Sequence, residues 1–299
     1  MTFPKHVKIV EVGPRDGLQA ESQTLPVEIR IQFIDLLSEI GLKAIEVGSF
    51  VSPRWIPSMI DSDQVFDGIS KKPGIDYSIL IPNQKGFDLA LQHKVESTAV
   101  FTAASETFCQ KNINTSIESS LHTFGEFIPE AKSRGIRVRG YVSCAIACPY
   151  EGPIAPERVQ DVALKLFDLG CDEISLGDTI GVGTPKQVKN LLHNFPVSLK
   201  KLAVHFHDTY GQALANIYAA LEEGVSIIDS SVSGLGGCPY APGASGNVAT
   251  EDVVYLLNGL GIDHGVNLEA LLKAANFIDE KLGRKTTSKS SQALRGAKR

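Results

Sequence analysis

Short β-branched runs alternate with longer amphipathic stretches along almost the whole chain of 299 residues. The runs are Val7–Val12, Ala44–Gly48, Tyr77–Ile81, Ser97–Thr102, Arg137–Ser143, Glu173–Leu176, Leu202–Phe206 and Ser226–Val232. Between them, segments such as Val27–Ile40 and Pro156–Leu169 carry apolar residues at helical spacing. In the second, Val159, Val162, Ala163, Leu166 and Phe167 share one face, with Pro156 opening the helix and Gly170 closing it. Strand–helix units repeated without a linker imply a parallel sheet with right-handed crossovers. Eight such units close into a barrel; an open doubly wound sheet is the alternative. The barrel is preferred because polar residues collect just after so many strands. In a barrel those strand ends meet at one face, whereas in an open sheet they spread along an edge. The prediction is one α/β domain over residues 1–299, a (β/α)8 TIM barrel with a short C-terminal helical extension. It includes a Gly-rich loop at 234–247 and a flexible basic tail at about 284–299, where Lys and Arg alternate with Ser and Thr.

Composition narrows the functional classes. Hydrophobic residues at 43% and charged residues at 21% suit a chain that fills one large core. A net charge of -5 leaves no basic excess for nucleic acid, so an anionic substrate must meet a local positive patch. The five cysteines are scattered and odd in number, which argues against a disulfide framework and for a reducing compartment. No apolar run has the length of a membrane span or the form of a signal peptide, and the final Gly-Ala-Lys-Arg is not a peroxisomal signal. The expected location is cytoplasmic, with a processed organellar form as the alternative and no membrane partner.

Chemistry concentrates at the ends of strands. The first runs into Arg15-Asp16, charges that need partners or a ligand where a buried strand ends. The second carries Glu46 amid apolar neighbours, a candidate partner for Arg15, and the sixth ends at Asp178, a rim position of the kind that catalyses in this architecture. Gly181-Val182-Gly183 beyond it reads as turn chemistry. In the seventh, His205 and His207 are two apart, so period-two alternation puts both imidazoles on one face. One strand histidine is ordinarily a satisfied core residue; two on one face, with Asp16 available from strand one, favour metal ligation. The loop after strand eight sets Cys238 among glycines and ends at Asn247. It suits closure over a substrate, with the thiol brought to a reacting carbon and the amide oxygen of Asn247 to a metal. Cys109, Cys144, Cys148 and Cys171 read as packing residues, and no role is assigned to His6, His93, His122, His193 or His264.

Together, Arg15-Asp16-Gly17-Leu18-Gln19, Glu46-Val47-Gly48-Ser49, Gly177-Asp178-Thr179, His205-Phe206-His207 and Gly234-Leu235-Gly236-Gly237-Cys238-Pro239-Tyr240 resemble the 3-hydroxy-3-methylglutaryl-CoA lyase family, in its bacterial form. The opener and the paired histidines are shared with isopropylmalate, homocitrate and citramalate synthases; the loop with Cys-Pro-Tyr is more specific. The resemblance implies cleavage of the acyl-CoA to acetoacetate and acetyl-CoA, as in leucine degradation and ketone body formation. It also implies a homodimer and Mg2+ or Mn2+ on Asp16, His205, His207 and Asn247. Substrate would meet Arg15, Gln19, Ser49 and Thr179. Asp178, with His205 nearby, would remove the hydroxyl proton, Arg15 would stabilise the enolate, Glu46 would hold Arg15 or a histidine, and Cys238 would protonate carbon. No cysteine follows Cys238, so a C-terminal intersubunit thiol switch is not expected. The rivals are an acetyl-CoA/2-oxo acid condensing synthase, a lyase for a related 3-hydroxyacyl-CoA, a 2-His-1-carboxylate iron oxygenase, and a barrel that only binds acyl-CoA.

Overall fold

The computed structural model describes residues 3–237, 240 and 245–296. Eight parallel strands close into a barrel: β1 (Lys8–Glu11), β2 (Ala44–Ser49), β3 (Asp76–Leu80), β4 (Ser97–Ala103), β5 (Arg137–Ser143), β6 (Glu173–Asp178), β7 (Leu202–Phe206) and β8 (Ile227–Ser230). Each pairs with its neighbours in sequence, and β1 pairs with β8 to complete the ring. The strands lie where the alternating pattern predicts, with β6 running on to Asp178 and β8 shorter at both ends. A short antiparallel hairpin, Ala147–Cys148 with Gly152–Pro153, follows β5.

Most crossovers carry a single long helix packed on the barrel: α1 (Val27–Ser38), α2 (Ser62–Gly68), α3 (Gln84–Gln92), α4 (Glu106–Ile113), α5 (Ile117–Ser133), α6 (Pro156–Leu169), α7 (Pro185–Leu192), α8 (Ala213–Glu223) and α9 (Thr250–Leu260). Gly170 takes φ 113° after α6, the left-handed conformation that lets glycine end a helix. The outward faces of the strands and the inner faces of these helices form one continuous apolar core, including Ile45, Val47, Ile174, Leu176, Val204 and Phe206. The interior of the barrel is different. Alternation sends Glu46, Arg139, Ser175, His205 and Asp229 inward, and these polar groups bond to one another beside a small apolar cluster of Val10, Val12, Ala44, Ala203 and Ile227.

After α9 come α10 (Leu268–Leu282) and α11 (Lys289–Gly296). The second corrects the expected flexible tail. Ser288 and Ser291 are fully buried. Asp252 receives hydrogen bonds from the Ser288 hydroxyl (2.8 Å) and from the backbone N–H groups of Lys289 (3.1 Å) and Ser290 (2.7 Å). A carboxylate thus meets the N-terminus of α11, where the free amides and the helix dipole favour it. The Ser-rich composition that suggested disorder is the composition of a helix cap.

Candidate active site

The chain leaves β1 through a wide helical turn, Gly13–Gly17, that lifts Arg15 and Asp16 over the mouth of the barrel. Gly17 allows the close approach: a Cβ there would stand 2.6 Å from Leu235 Cβ at the root of the Gly-rich loop. Arg15 is buried and gives its Nε–H to Glu46 and an Nη1–H to Asp16 Oδ1 at 2.7 Å. Burial opposes its charge, but Glu46 and Asp16 raise its pKa far above the ordinary value, so the guanidinium is permanently cationic. Glu46 accepts a second bond, 2.6 Å, from the Tyr141 hydroxyl, which in turn accepts from Arg139 Nη1 at 2.9 Å. Both guanidinium groups also lie over the Tyr141 ring, at 5.5 Å for Arg15 and 4.9 Å for Arg139. Arg139 continues the network to Asp229 (2.6 Å) and Glu173 (2.9 Å).

His205 and His207 do share one face at the mouth. His205 Nδ1 is 3.3 Å from Asp229 Oδ2, which also accepts from Ser175 Oγ at 2.8 Å; His205 Nε2 is 3.8 Å from Asp16 Oδ2. Burial works against a charge on His205, yet the bond to Asp229 and the Asp16 charge raise its pKa. Burial and the neighbouring His205 push His207 down to about 4, and its buried Nδ1 has no partner. Against the effect of burial, Arg15 and the two histidines hold Asp16 far below the usual carboxylate range. Potential ligand atoms of Asp16, His205 and His207 all lie within 4.8 Å of one another. Asn247 donates its Nδ2 to Asp16 Oδ2 (2.7 Å) and to Leu235 O (3.2 Å), so it joins the same corner. An ionised carboxylate, a neutral imidazole with an unmatched nitrogen, and a second imidazole braced by a carboxylate fit a divalent cation.

These groups open on a cavity of about 500 Å3. Arg15, Asp16, Gln19, Thr179, His205 and His207 are on its wall, with Tyr141, Phe108 and Tyr240 among the aromatic lining. Gln19 presents a buried amide oxygen without a partner, and Thr179 accepts the Cys144 backbone N–H at 2.8 Å. Ser49 is buried away from the lining and hydrogen-bonds backbone groups of Val51 and Leu80. Cys238 lies outside the described residues.

Asp178 differs most from expectation. Gly177 pairs with His205 and Asp178 with Phe206, so Asp178 shares the outward face of Phe206 while Gly177 lines the cavity. Its Oδ2 accepts the Gly183 N–H at 2.8 Å, and a Cβ on Gly183 would stand 2.7 Å from that oxygen. Burial raises Asp178 to about 6 in spite of the amides of Gly183, Val182 and Gly181. The glycine turn is a cradle for this carboxylate. Conversely, the sequence reading passed over Arg139, Tyr141 and Asp229. The signal was present: Arg139 and Tyr141 are two apart in one strand, like the histidines, and Asp229 is a lone carboxylate in an apolar run.

Barrel, strand-end cluster and cavity define a (β/α)8 protein with a group of side chains at the C-terminal mouth that could hold a metal ion. A profile of the HMGL-like family matches residues 6–278, and the chain belongs to that family. It is 58% identical over 296 residues to the mitochondrial hydroxymethylglutaryl-CoA lyase of Rattus norvegicus, covering 98% of this chain and 90% of that one. The crystal structure of hydroxymethylglutaryl-CoA lyase from Pseudomonas aeruginosa superposes with a TM-score of 0.97 at 54% identity, covering 99% of this chain and 100% of the other. An HMG-CoA lyase from Acinetobacter baumannii, in complex with coenzyme A and 3-methylmalate, gives a TM-score of 0.93 at 36% identity, covering 98% and 96%.

Proposed function

We propose that this chain is a carbon–carbon lyase that cleaves 3-hydroxy-3-methylglutaryl-CoA to acetoacetate and acetyl-CoA by a retro-Claisen-type reaction. The observation that carries the reading is one cavity wall shared by the buried Arg15 guanidinium and the Asp16–His205–His207 cluster. Asp16, His205, His207 and the amide oxygen of Asn247 would hold Mg2+ or Mn2+. When bound, such an ion supplies Lewis acidity that lowers the pKa of the substrate hydroxyl and orients the acyl oxygens.

The remaining chemistry belongs to the side chains. The C3 hydroxyl proton passes to His205, the imidazole on the cavity wall that Asp229 braces; Asp178, on the outward face, acts by holding the Gly177–Thr179 segment. The C2–C3 bond then breaks, leaving a ketone at C3 and its electron pair on the thioester as an enolate. Arg15 stabilises that enolate oxygen, and Glu46 with Tyr141 keeps the guanidinium in place before charge develops. A proton from the Cys238 thiol to C2 completes acetyl-CoA, and solvent exchange returns the proton from His205 to the thiolate. Gln19 and Thr179 contact the acyl portion from the wall, and Ser49 supports the backbone beside it.

A lyase for a related 3-hydroxyacyl-CoA is the second reading, favoured by the 3-methylmalate held by the A. baumannii relative. The four described cysteines are free and buried, which suits a cytoplasmic protein; no helix among the described residues is long and apolar enough to cross a membrane. A homodimer is proposed and is checked by sedimentation. The deciding experiment follows acetyl-CoA release from 3-hydroxy-3-methylglutaryl-CoA with Mg2+ or Mn2+ and a reductant, beside Cys238→Ser and a related hydroxyacyl-CoA. Metal-dependent release that collapses in the variant supports the lyase and the thiol. No release from either substrate points to condensation of acetyl-CoA with a 2-oxo acid.

A further inference from the structure

The root of the Gly-rich loop is gripped from behind by the C-terminal segment. Ser233 has φ 59° and Gly234 φ 62°, so two successive residues turn in the left-handed region, and their carbonyls accept from the C-terminal segment. Those carbonyls meet one residue after α10: Arg284 Nη2 donates to Ser233 O (3.3 Å) and Gly234 O (3.4 Å). The Thr287 hydroxyl reaches the same two oxygens at 3.3 and 3.4 Å, and Thr286 Oγ1 reaches Ser233 O at 3.4 Å. The remainder of Ser233 is also occupied, its N–H by the Glu251 carboxylate and its hydroxyl by Asp279 Oδ1 at 2.5 Å. So many partners on one strained, fully buried turn show that its geometry is over-determined.

The other arm of Arg284 points elsewhere. Its Nη1 donates to Glu21 Oε1 at 2.6 Å, and Glu21 follows directly on the segment that carries Arg15, Asp16 and Gln19. The same Glu21 oxygen receives the Gly236 N–H at 3.5 Å. One planar guanidinium therefore spans the β1 turn and the loop root, a task for its forked donors that a point-charge ammonium cannot repeat. From the root the contacts run into the site. Gly246 N–H donates to Gly236 O at 3.1 Å, pairing the two arms of the loop, and Leu235 O accepts from Asn247 Nδ2, which also binds Asp16.

We infer that Arg284 is a positioning residue that ties the Arg15–Asp16 turn to the root of the Gly-rich loop and thereby fixes Asn247 against Asp16. It touches neither the cavity nor the cation cluster. An ordinary helix-end ion pair would account for its contact with Glu21 but not for two loop carbonyls on the opposite arm. The catalytic consequence rests on the proposed lyase reading; the consequence for cation binding does not.

The test compares wild type with Arg284→Gln, Arg284→Lys and Thr287→Val in four measurements: thermal midpoint, Mn2+ affinity by electron paramagnetic resonance without substrate, kcat and KM. Arg284→Gln is expected to weaken Mn2+ binding about tenfold and to lower kcat about tenfold or more with KM within about threefold, the scale of losing an outer-shell support. Arg284→Lys, which reaches one side only, recovers the thermal midpoint but not the Mn2+ affinity. Thr287→Val removes one hydroxyl from the same carbonyls and shifts Mn2+ affinity in the same direction by less, so it carries the test if Arg284→Gln does not fold. Wild-type Mn2+ affinity and kcat in the folded Arg284 variant, or in Thr287→Val if the former is unfolded, overturn the inference whatever the thermal midpoint does. If the wild type lacks lyase activity while the Mn2+ effect remains, the lyase reading fails and the positioning role stands.

Discussion

Tyr141 is the test of whether the polar barrel interior works as one unit. Its hydroxyl donates to Glu46 at 2.6 Å and accepts from Arg139 at 2.9 Å, and burial, its largest influence, keeps the phenol neutral by raising its pKa well above the ordinary range. Tyr141→Phe keeps the ring, and so the stacking of both guanidinium groups, while deleting both hydrogen bonds. Hydrogen bonds to charged groups contribute about 1.5–3 kcal/mol each. Glu46 keeps Arg15, and Arg139 keeps Asp229 and Glu173, so neither charge is stranded and the combined loss should be about 3 kcal/mol. For a chain of this size that lowers the thermal midpoint by roughly 5 °C. Glu46, released on one side, holds Arg15 less firmly, and kcat should fall about tenfold, corresponding to about 1.4 kcal/mol in the transition state. Circular-dichroism melts and steady-state kinetics on the same preparation read both quantities. A midpoint within about 2 °C of wild type together with an unchanged kcat would refute the idea that the phenol links the two arginines, since the lost bonds would then have contributed nothing net.

Arg15→Met should lower kcat about 10^2–10^3-fold with little change in KM, because the guanidinium is assigned to charge that develops as the C2–C3 bond breaks; a defect confined to KM in steady-state assays argues for a binding role instead. Asp178→Asn should retain kcat to within about tenfold, since the side chain faces the glycine turn, whereas a general base is worth about 10^2–10^4; a loss at the upper end of that range restores Asp178 as the base. Glu11 gives a pH signature: burial raises its carboxyl to about 8 against hydrogen bonds from Thr250, Val232 and Gly13. Between the unfolded value near 4.5 and 8 the native state keeps a proton that the unfolded chain has released, so stability falls as pH rises through that window and then levels off. Denaturant melts should show Glu11→Gln gaining on wild type from pH 5 to pH 8, by at most roughly 5 kcal/mol; a constant difference means that Glu11 is ionised throughout.

The barrel was legible because its signal is one repeated period, eight times over, and because parity in β7 placed both histidines. The same parity would have placed Asp178. Ser175 is inward, bonded to Asp229, so Gly177 must be inward and Asp178 outward. The rim position drew attention and the facing went unread. Arg139, Tyr141 and Asp229 were missed for a related reason: Arg139 and Tyr141 share β5 but their partners Glu46 and Asp229 lie on distant strands, and that pairing across the barrel depends on strand stagger that a one-dimensional pattern does not contain. The C-terminal segment failed on composition. Ser and Lys mark a solvated tail when nothing faces them, and a capped helix when Asp252 does.

The charges inside the barrel explain why a cation and an anionic acyl group belong at this mouth together. Lys8, Arg15 and Arg139 are linked through short contacts to Asp16, Glu46, Glu173 and Asp229, three positive groups against four negative ones. The surplus negative charge sits in a largely buried ring, where screening is weak and an unmatched charge is costly. A proton on His205, between Asp16 and Asp229, offsets that surplus, and the two carboxylates raise the imidazole pKa despite burial. A divalent cation at Asp16 would displace that proton and leave the ring with a single net positive charge facing the cavity. The acyl carboxylate then meets a favourable field that the overall charge of -5 does not provide. Neutralising any member of the ring changes this balance at the mouth, even from Glu173 at the far end, so Glu173→Gln and Asp16→Asn act on one electrostatic system at different distances from the substrate.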